Sequence, residues 1–174
     1  VYDFPGHTCV SVNDEAAHGV PRDRALADGD LLNVDVSAEL DGYFADTGAS
    51  RVVGKGDDQA RRLCATTRRA LQDALAQIVT GAPMNRIGRA IERRAHGAGF
   101  AVLEDLCGHG VGRSIHEPPQ VPNTYEPRDR RVLREGWVLA IEPLLTTGAT
   151  SVATDPDGWT LRTPDRSRVA QFEH

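Results

Sequence analysis

Cysteine is scarce in this chain: Cys9, Cys64 and Cys107 are an odd number with no C-x-x-C spacing. A disulfide framework and a zinc knuckle are both excluded, and a reducing, cytoplasmic setting is the expectation. Long apolar runs are missing too. No stretch approaches the ~18 residues of a membrane-spanning helix, and the N-terminus lacks the basic-then-apolar order of a secretory signal. Clustered positive charge is also wanting. The 20 basic residues are scattered among 25 acidic ones, for a net charge of −5 and a pI near 5.7. A nucleic-acid face, which needs clustered Lys and Arg to displace counterions from phosphates, is therefore not expected. The pairs Arg61-Arg62, Arg68-Arg69 and Arg93-Arg94 fall on predicted helices and read as solvated faces. There is no initiator methionine. The chain opens at Val1 close to a strand-like run, and it stops one residue after Glu173 in another, so a piece of a longer protein is expected. Its 174 residues suit a single domain, 1–174, with a core of its own.

What is present begins with residues 30–53. Asp30-Leu-Leu-Asn-Val-Asp-Val-Ser37 alternates polar and apolar with the period of a half-buried strand, putting Asn33, Asp35 and Ser37 on one face. Asp41-Gly42 is a dipeptide favoured in two-residue type I′ hairpins, and Tyr43-Phe-Ala-Asp-Thr47 returns. Counting outward pairs Leu40 with Tyr43, Ser37 with Asp46 and Asp35 with Gly48. Asp46 is then diagonal to Asp35, at a Cα separation of about 7–8 Å. Asp is depleted in strands, which weighs against two ordinary surface residues without removing that alternative. A bulge in the second strand would move Asp46 off the face.

Residues 57–79 predict a helix capped by Asp57 or Asp58, with Leu63, Cys64, Leu71, Ala74, Leu75 and Ile78 on one stripe. A second helix is predicted over 85–98, with Ile87, Ile91 and Ala95 inward and Gly97 and Gly99 as terminators. Then comes Cys107-Gly-His-Gly-Val-Gly-Arg-Ser-Ile-His-Glu117. A histidine between glycines has no neighbouring side chains to pack against, and close backbone approach to a ligand explains both, with His116 at the end of the same loop. His18 has a similar glycine-adjacent setting. His7, His96 and His174 are read as surface or core histidines. In Trp137-Val-Leu-Ala-Ile-Glu-Pro143, one acid interrupts a short apolar strand, and Glu142 is expected to share a face with Val138 and Ala140. A lone buried glutamate costs several kcal/mol unless paired or metal-bound. Glu173, on Val169-Ala-Gln-Phe-Glu173, follows the same logic, with a frayed end as the alternative.

Asp35, Asp46, His109, Glu142 and Glu173 thus form a candidate metal set. Four carboxylates close together raise one another's pKa unless cations neutralise them. Two divalent ions cancel the charge, and oxygen ligands with one imidazole suit Mn, Fe(II), Co or Zn.

The chain resembles the type I methionine aminopeptidases, of the pita-bread or creatinase-like fold. The matching pieces are Cys9-Val-Ser-Val-Asn13, His18-Gly-Val-Pro21, Asp28–Val36, Gly42–Thr47, Cys107-Gly-His-Gly-Val-Gly112, Ile141-Glu-Pro143, Asp157-Gly-Trp159 and Ala170-Gln-Phe-Glu-His174, and they span nearly the whole chain. The resemblance implies an α+β fold, a curved and mostly antiparallel sheet covered by helices, here truncated at both ends. It implies two divalent ions, with Asp35 chelating one, Asp46 and Glu173 bridging both, and His109 and Glu142 completing the other. It further implies removal of the initiator methionine from nascent peptides whose second residue is small, by water activated between the ions. Glu142 would then be the proton acceptor, and His18 and His116 would contact substrate without binding metal. Phe4, Cys9, Ile115 and Trp159 match the methionine pocket, although Ile115 stands where the family usually has an aromatic and Phe4 where it more often has Tyr. Nascent peptide N-termini, a ribosome-associated setting and a monomer are the expected partners and state. The rivals are a proline-specific relative, either an Xaa-Pro aminopeptidase or a prolidase, and a non-catalytic binding module of the same fold.

Overall fold

The computed structural model describes residues 3–174. Its first four strands are β1 (Cys9–Val12), β2 (Glu15–Ala17), β3 (Leu31–Leu40) and β4 (Tyr43–Val52). β3 and β4 form the expected hairpin, and both turn residues take positive φ, 54° at Asp41 and 79° at Gly42, as a type I′ turn demands. The register runs without a bulge from Leu40 opposite Tyr43 to Leu31 opposite Val52, with Ser37 opposite Asp46 and Asp35 opposite Gly48. Both aspartates therefore keep the same face. β1 pairs with the other edge of β3 and sets Cys9 opposite Asp35.

Two helices follow, α1 (Asp58–Leu75) and α2 (Asn85–Gly97). The Asp57 carboxylate caps α1 by accepting the Ala60 N–H at 2.7 Å. The buried stripe of α1 is Ala60, Leu63, Thr67, Ala70, Leu71 and Ala74. It stops short of the predicted end. The N–H groups of Gln77 and Ile78 turn back to carbonyls three residues earlier, which tightens and closes the helix, and Ile78 is left 39% exposed. α2 buries Ile87, Ile91 and Ala95 as its spacing predicts, and Gly99 at φ 78° carries the chain away. Complete burial of Ile87 and Ile91 contributes about 1.5–3 kcal/mol each.

The remaining strands are short: β5 (Ala101–Val102), β6 (Cys107–Gly110), β7 (Glu117–Pro122), β8 (Leu139–Ala140), β9 (Leu144–Thr146), β10 (Ala153–Thr154), β11 (Leu161–Arg162) and β12 (Val169–Gln171). Every pairing is antiparallel, in the orders β1-β3-β4, β10-β11-β2, β12-β9-β5 and β7-β6-β8. α1 packs on β4, β9 and β12 and α2 on β5 and β7, so the main core lies between helices and sheet. Among the described residues no helix is long and apolar enough to cross a membrane.

Two expectations fail after α2. The run 137–143 is not one strand: β8 spans only Leu139–Ala140, Val138 is 64% exposed, and Glu142 lies beyond the strand on which it was expected to share a face with Val138 and Ala140. Nonlocal pairing accounts for the break, because Ile141 exchanges backbone hydrogen bonds with His174 (3.0 and 3.2 Å) while Pro143 has no N–H to offer. The second correction concerns Cys107–Gly110, which is a strand held between β7 and β8 and not a loop. A Cβ on Gly108 would sit 2.3 Å from the Ala140 carbonyl oxygen, and one on Gly110 would sit 2.5 Å from that of Pro118. The glycines admit neighbouring strands, not a ligand.

Candidate metal centre

Each of the five predicted ligands reaches the same space from a different strand or strand end. Asp35 and Asp46 come from the hairpin, His109 from the middle of β6, Glu142 from the gap between β8 and β9, and Glu173 from just beyond β12. Glu173 is not frayed. Its N–H donates to Gly48 O at 2.8 Å, its carbonyl accepts the Thr47 hydroxyl at 3.0 Å, and it is 4% exposed. Gly48 is what makes room for it: a Cβ there would lie 3.1 Å from Glu173 Oε2, 3.3 Å from Gln171 Oε1 and 3.5 Å from the Asp35 Cβ.

The hydrogen-bond chemistry is short of donors. His109 Nδ1 lies 2.9 Å from Gly110 O, and a carbonyl can only accept, so the proton of a neutral ring sits on Nδ1. Nε2 then turns a lone pair toward Glu142 Oε1 at 3.4 Å and Asp46 Oδ2 at 3.8 Å. Acceptors face acceptors. Ligand atoms of Asp46, His109 and Glu173 all lie within 4.8 Å of one another. Gln171 Nε2 is shared between Glu142 Oε2 and Glu173 Oε2 at 3.3 Å each, while Asp35 Oδ1 and Gln171 Oε1 are buried with no partner. Among the described residues, neither Lys nor Arg lines the cavities around these acids.

Electrostatics follow from that deficit. Burial, then the Asp46 charge, pushes Asp35 up from 3.8 to about 7. Burial, then Glu142, pushes Glu173 up to about 10. Glu142 is raised well above the ordinary range by burial and by Asp35 and Asp46. Burial holds both His18 and His116 below their ordinary value, and the adjoining His109 lowers His116 further. The two rings meet edge to face, with centroids 4.3 Å apart. A divalent cation would supply what these residues lack. It would give a partner to His109 Nε2 and the orphan Asp35 oxygen, and it would make ionisation of the acids favourable.

Two openings meet at this centre. A small cavity of about 90 Å³ is walled by Phe4, Cys9, His18 and Trp159, with Phe4 and Trp159 edge to face at 5.4 Å between centroids. A wider one of about 600 Å³ runs past Ala17, Cys107, Glu117, Pro118 and Gln120. His18 and His116 line both. Ile115, expected in the pocket wall, lines neither. It is 4% exposed and turned into the protein, while the next side chain, His116, takes the cavity side.

The chain matches the metallopeptidase family M24 across residues 1–174. It belongs to that family. The methionine aminopeptidase 2 of Bacillus subtilis (strain 168) is 47% identical over 175 residues, covering 99% of this chain and 70% of the relative. The crystal structure of the Thermotoga maritima methionine aminopeptidase superposes with a TM-score of 0.93 at 41% identity, over 96% of this chain and 68% of that one. The prolidase from Pyrococcus furiosus shares the fold at a TM-score of 0.73 and 24% identity, over 97% of this chain and 44% of its own. The chain is a metallopeptidase of the pita-bread fold that uses divalent metal.

Several residues of this metallopeptidase site were not anticipated from sequence. Gln171 precedes Glu173 by two residues on the same side of the chain, a strand-period signal that points at it directly. Ser37 donates to Asp46 Oδ1 at 2.9 Å, Thr8 donates to the Asp35 carbonyl at 2.5 Å, and Asn123 anchors the Glu142 carbonyl at 3.0 Å. His7, read as an ordinary histidine, lines the smaller cavity. Its neighbour Gly6 gives it the glycine-adjacent setting that singled out His18.

Proposed function

We propose that this metallopeptidase removes the N-terminal methionine from peptides, holding two divalent ions among Asp35, Asp46, His109, Glu142 and Glu173. One observation carries the reading. Four acids and an imidazole lone pair converge in a space that, among the described residues, no Lys or Arg side chain lines. Mn, Fe(II), Co and Zn fit such a donor set. When bound, divalent ions acidify water toward neutrality and polarise a carbonyl.

The chain's own groups supply the rest. Glu142 is tied down through its carbonyl to Asn123 and through Oε2 to Gln171, so its Oε1 is placed to take a proton from water and return it to the leaving nitrogen. His116 and His18 are kept neutral near pH 7 by burial, and a neutral ring donates one N–H to an oxygen on which charge develops. Phe4, Cys9 and Trp159 form an apolar wall that suits an unbranched thioether. Nascent chain N-termini are the substrates this geometry suits, with the chain beyond the scissile bond leaving through the wider opening.

Proline-specific hydrolysis is the competing activity, since the fold is shared. Hydrolysis of Met-Ala-Ser and of an Xaa-Pro dipeptide by the Mn²⁺-loaded protein separates the two. Preference for Met-Ala-Ser is expected, and a clear preference for Xaa-Pro would reverse the assignment.

A further inference from the structure

His18, a lining residue of both cavities, sits at φ +53°, in the left-handed region that few residues other than glycine occupy. Something must hold it there. The backbone after it is seated on β1: Val10 N–H donates to Gly19 O at 2.8 Å, and Gly19 N–H donates to the Ser11 hydroxyl at 3.1 Å. A Cβ on Gly19 would lie 2.3 Å from Val10 O, so only glycine fits. The segment then returns to where it started. Arg22 Nη2 meets Glu15 Oε1 at 3.0 Å, and Arg24 reaches both Glu15 oxygens, at 3.2 and 3.0 Å. Glu15 lies three residues before His18, so one carboxylate closes the loop that carries the histidine.

The same carboxylate reaches the opposite wall. Arg162, paired with Glu15 in the β2–β11 ladder, donates to Glu15 Oε1 at 3.2 Å and also binds Asp14 and Asp155. Trp159 and Thr160 immediately precede β11, and the Thr160 hydroxyl accepts from Val20 N–H at 3.4 Å. Glu15 itself has a side chain only 1% exposed and accepts the Val12 N–H at 2.8 Å. A buried carboxylate with this many donors, touching neither cavity, is more than a surface ion pair needs. It joins the His18 loop to the turn carrying Trp159.

We propose that Glu15 is a positioning residue, which sets His18 against the reacting peptide through Arg22 and Arg24 and registers that loop to the Trp159 wall through Arg162. This rests on the aminopeptidase reading of the site. Loss of the clamp lets the histidine relax toward ordinary backbone angles, and misplacement on the scale of an ångström costs turnover, not metal binding.

The test is a double-mutant cycle on the Mn²⁺-loaded protein with Met-Ala-Ser as substrate. Arg22 and Arg24 are 47% and 37% exposed in their side chains, so Arg22→Met with Arg24→Met is the perturbation least harmful to folding. The expected result is a fall in kcat of roughly ten- to a hundred-fold with metal content unchanged, and no further fall when the pair is introduced into His18→Ala. Losses that multiply in the two backgrounds, or an unchanged kcat in the arginine pair, would overturn the proposal. If the pair does not fold, Arg24→Lys against Arg24→Met in the same cycle gives the answer, with lysine expected to recover part of kcat. Failure of the aminopeptidase reading looks different, because the unsubstituted protein would then prefer an Xaa-Pro dipeptide to Met-Ala-Ser, whereas unchanged Met-Ala-Ser turnover in His18→Ala would overturn the role given to His18.

Discussion

Chelating the metal should make this protein lose stability as pH rises, by an amount that can be sized from the site. Asp35 at about 7 and Glu173 at about 10 are both above their ordinary values in the metal-free fold, so the folded state holds protons that the unfolded state releases. Stability from such groups is complete below their unfolded values and drains away as pH rises through the folded ones. Each group held protonated removes about 1.4 kcal/mol per pH unit. His18 and His116, held low, work in the opposite sense, but only below about pH 6.5, where their unfolded forms take up protons. The clean window therefore runs from about pH 6.5 to about pH 8. Glu173 alone removes on the order of 2 kcal/mol across it, and Asp35 adds to this up to its own titration near 7. At 174 residues that corresponds to a fall in Tm of roughly 4–8 °C. The assay is thermal unfolding by circular dichroism in chelator and in saturating Mn²⁺. Manganese should raise Tm and flatten its pH dependence, since bound ions keep the carboxylates ionised in the fold. A metal-free Tm that holds level or climbs over the window would refute the reasoning.

Asp46→Ala should abolish both Mn²⁺ binding in calorimetry and turnover, whereas His116→Ala should keep the metal and lose about 10²–10⁴ of kcat. Calorimetry at neutral pH in buffers of different ionisation enthalpy should show protons released as the metal binds, because Asp35 and Glu173 carry them beforehand. Gly48→Ala places a methyl 3.1 Å from Glu173 Oε2, and should cost about 1–3 kcal/mol in thermal unfolding while weakening metal affinity. Ile115→Ala should destabilise by about 2–5 kcal/mol through a core cavity and leave KM for Met-Ala-Ser unchanged, since the side chain lines neither opening.

Legibility from sequence tracked how local each determinant is. The hairpin was readable to the residue because Asp41-Gly42 dictates both turn conformations and strand alternation then propagates the register to Asp35 and Asp46. The helical faces were readable for the same reason, up to the point where α1 tightens after Leu75. What lay hidden depends on partners far along the chain. Nothing between Trp137 and Pro143 reveals that Ile141 will pair with His174, and nothing near Gly108 and Gly110 reveals that strands press on both of them. The five candidate ligands converge as expected even so, because each acid or imidazole stands out against an apolar or glycine-rich setting whatever the exact local structure.

The central claim is that these five side chains hold divalent cations in one place. Anomalous diffraction from crystals of the Mn²⁺-loaded protein tests it most directly. The account predicts two peaks, both within coordination distance of Asp46 and Glu173, one also touching Asp35 and the other His109 and Glu142. Peaks elsewhere on the protein, with none among these residues, would contradict it.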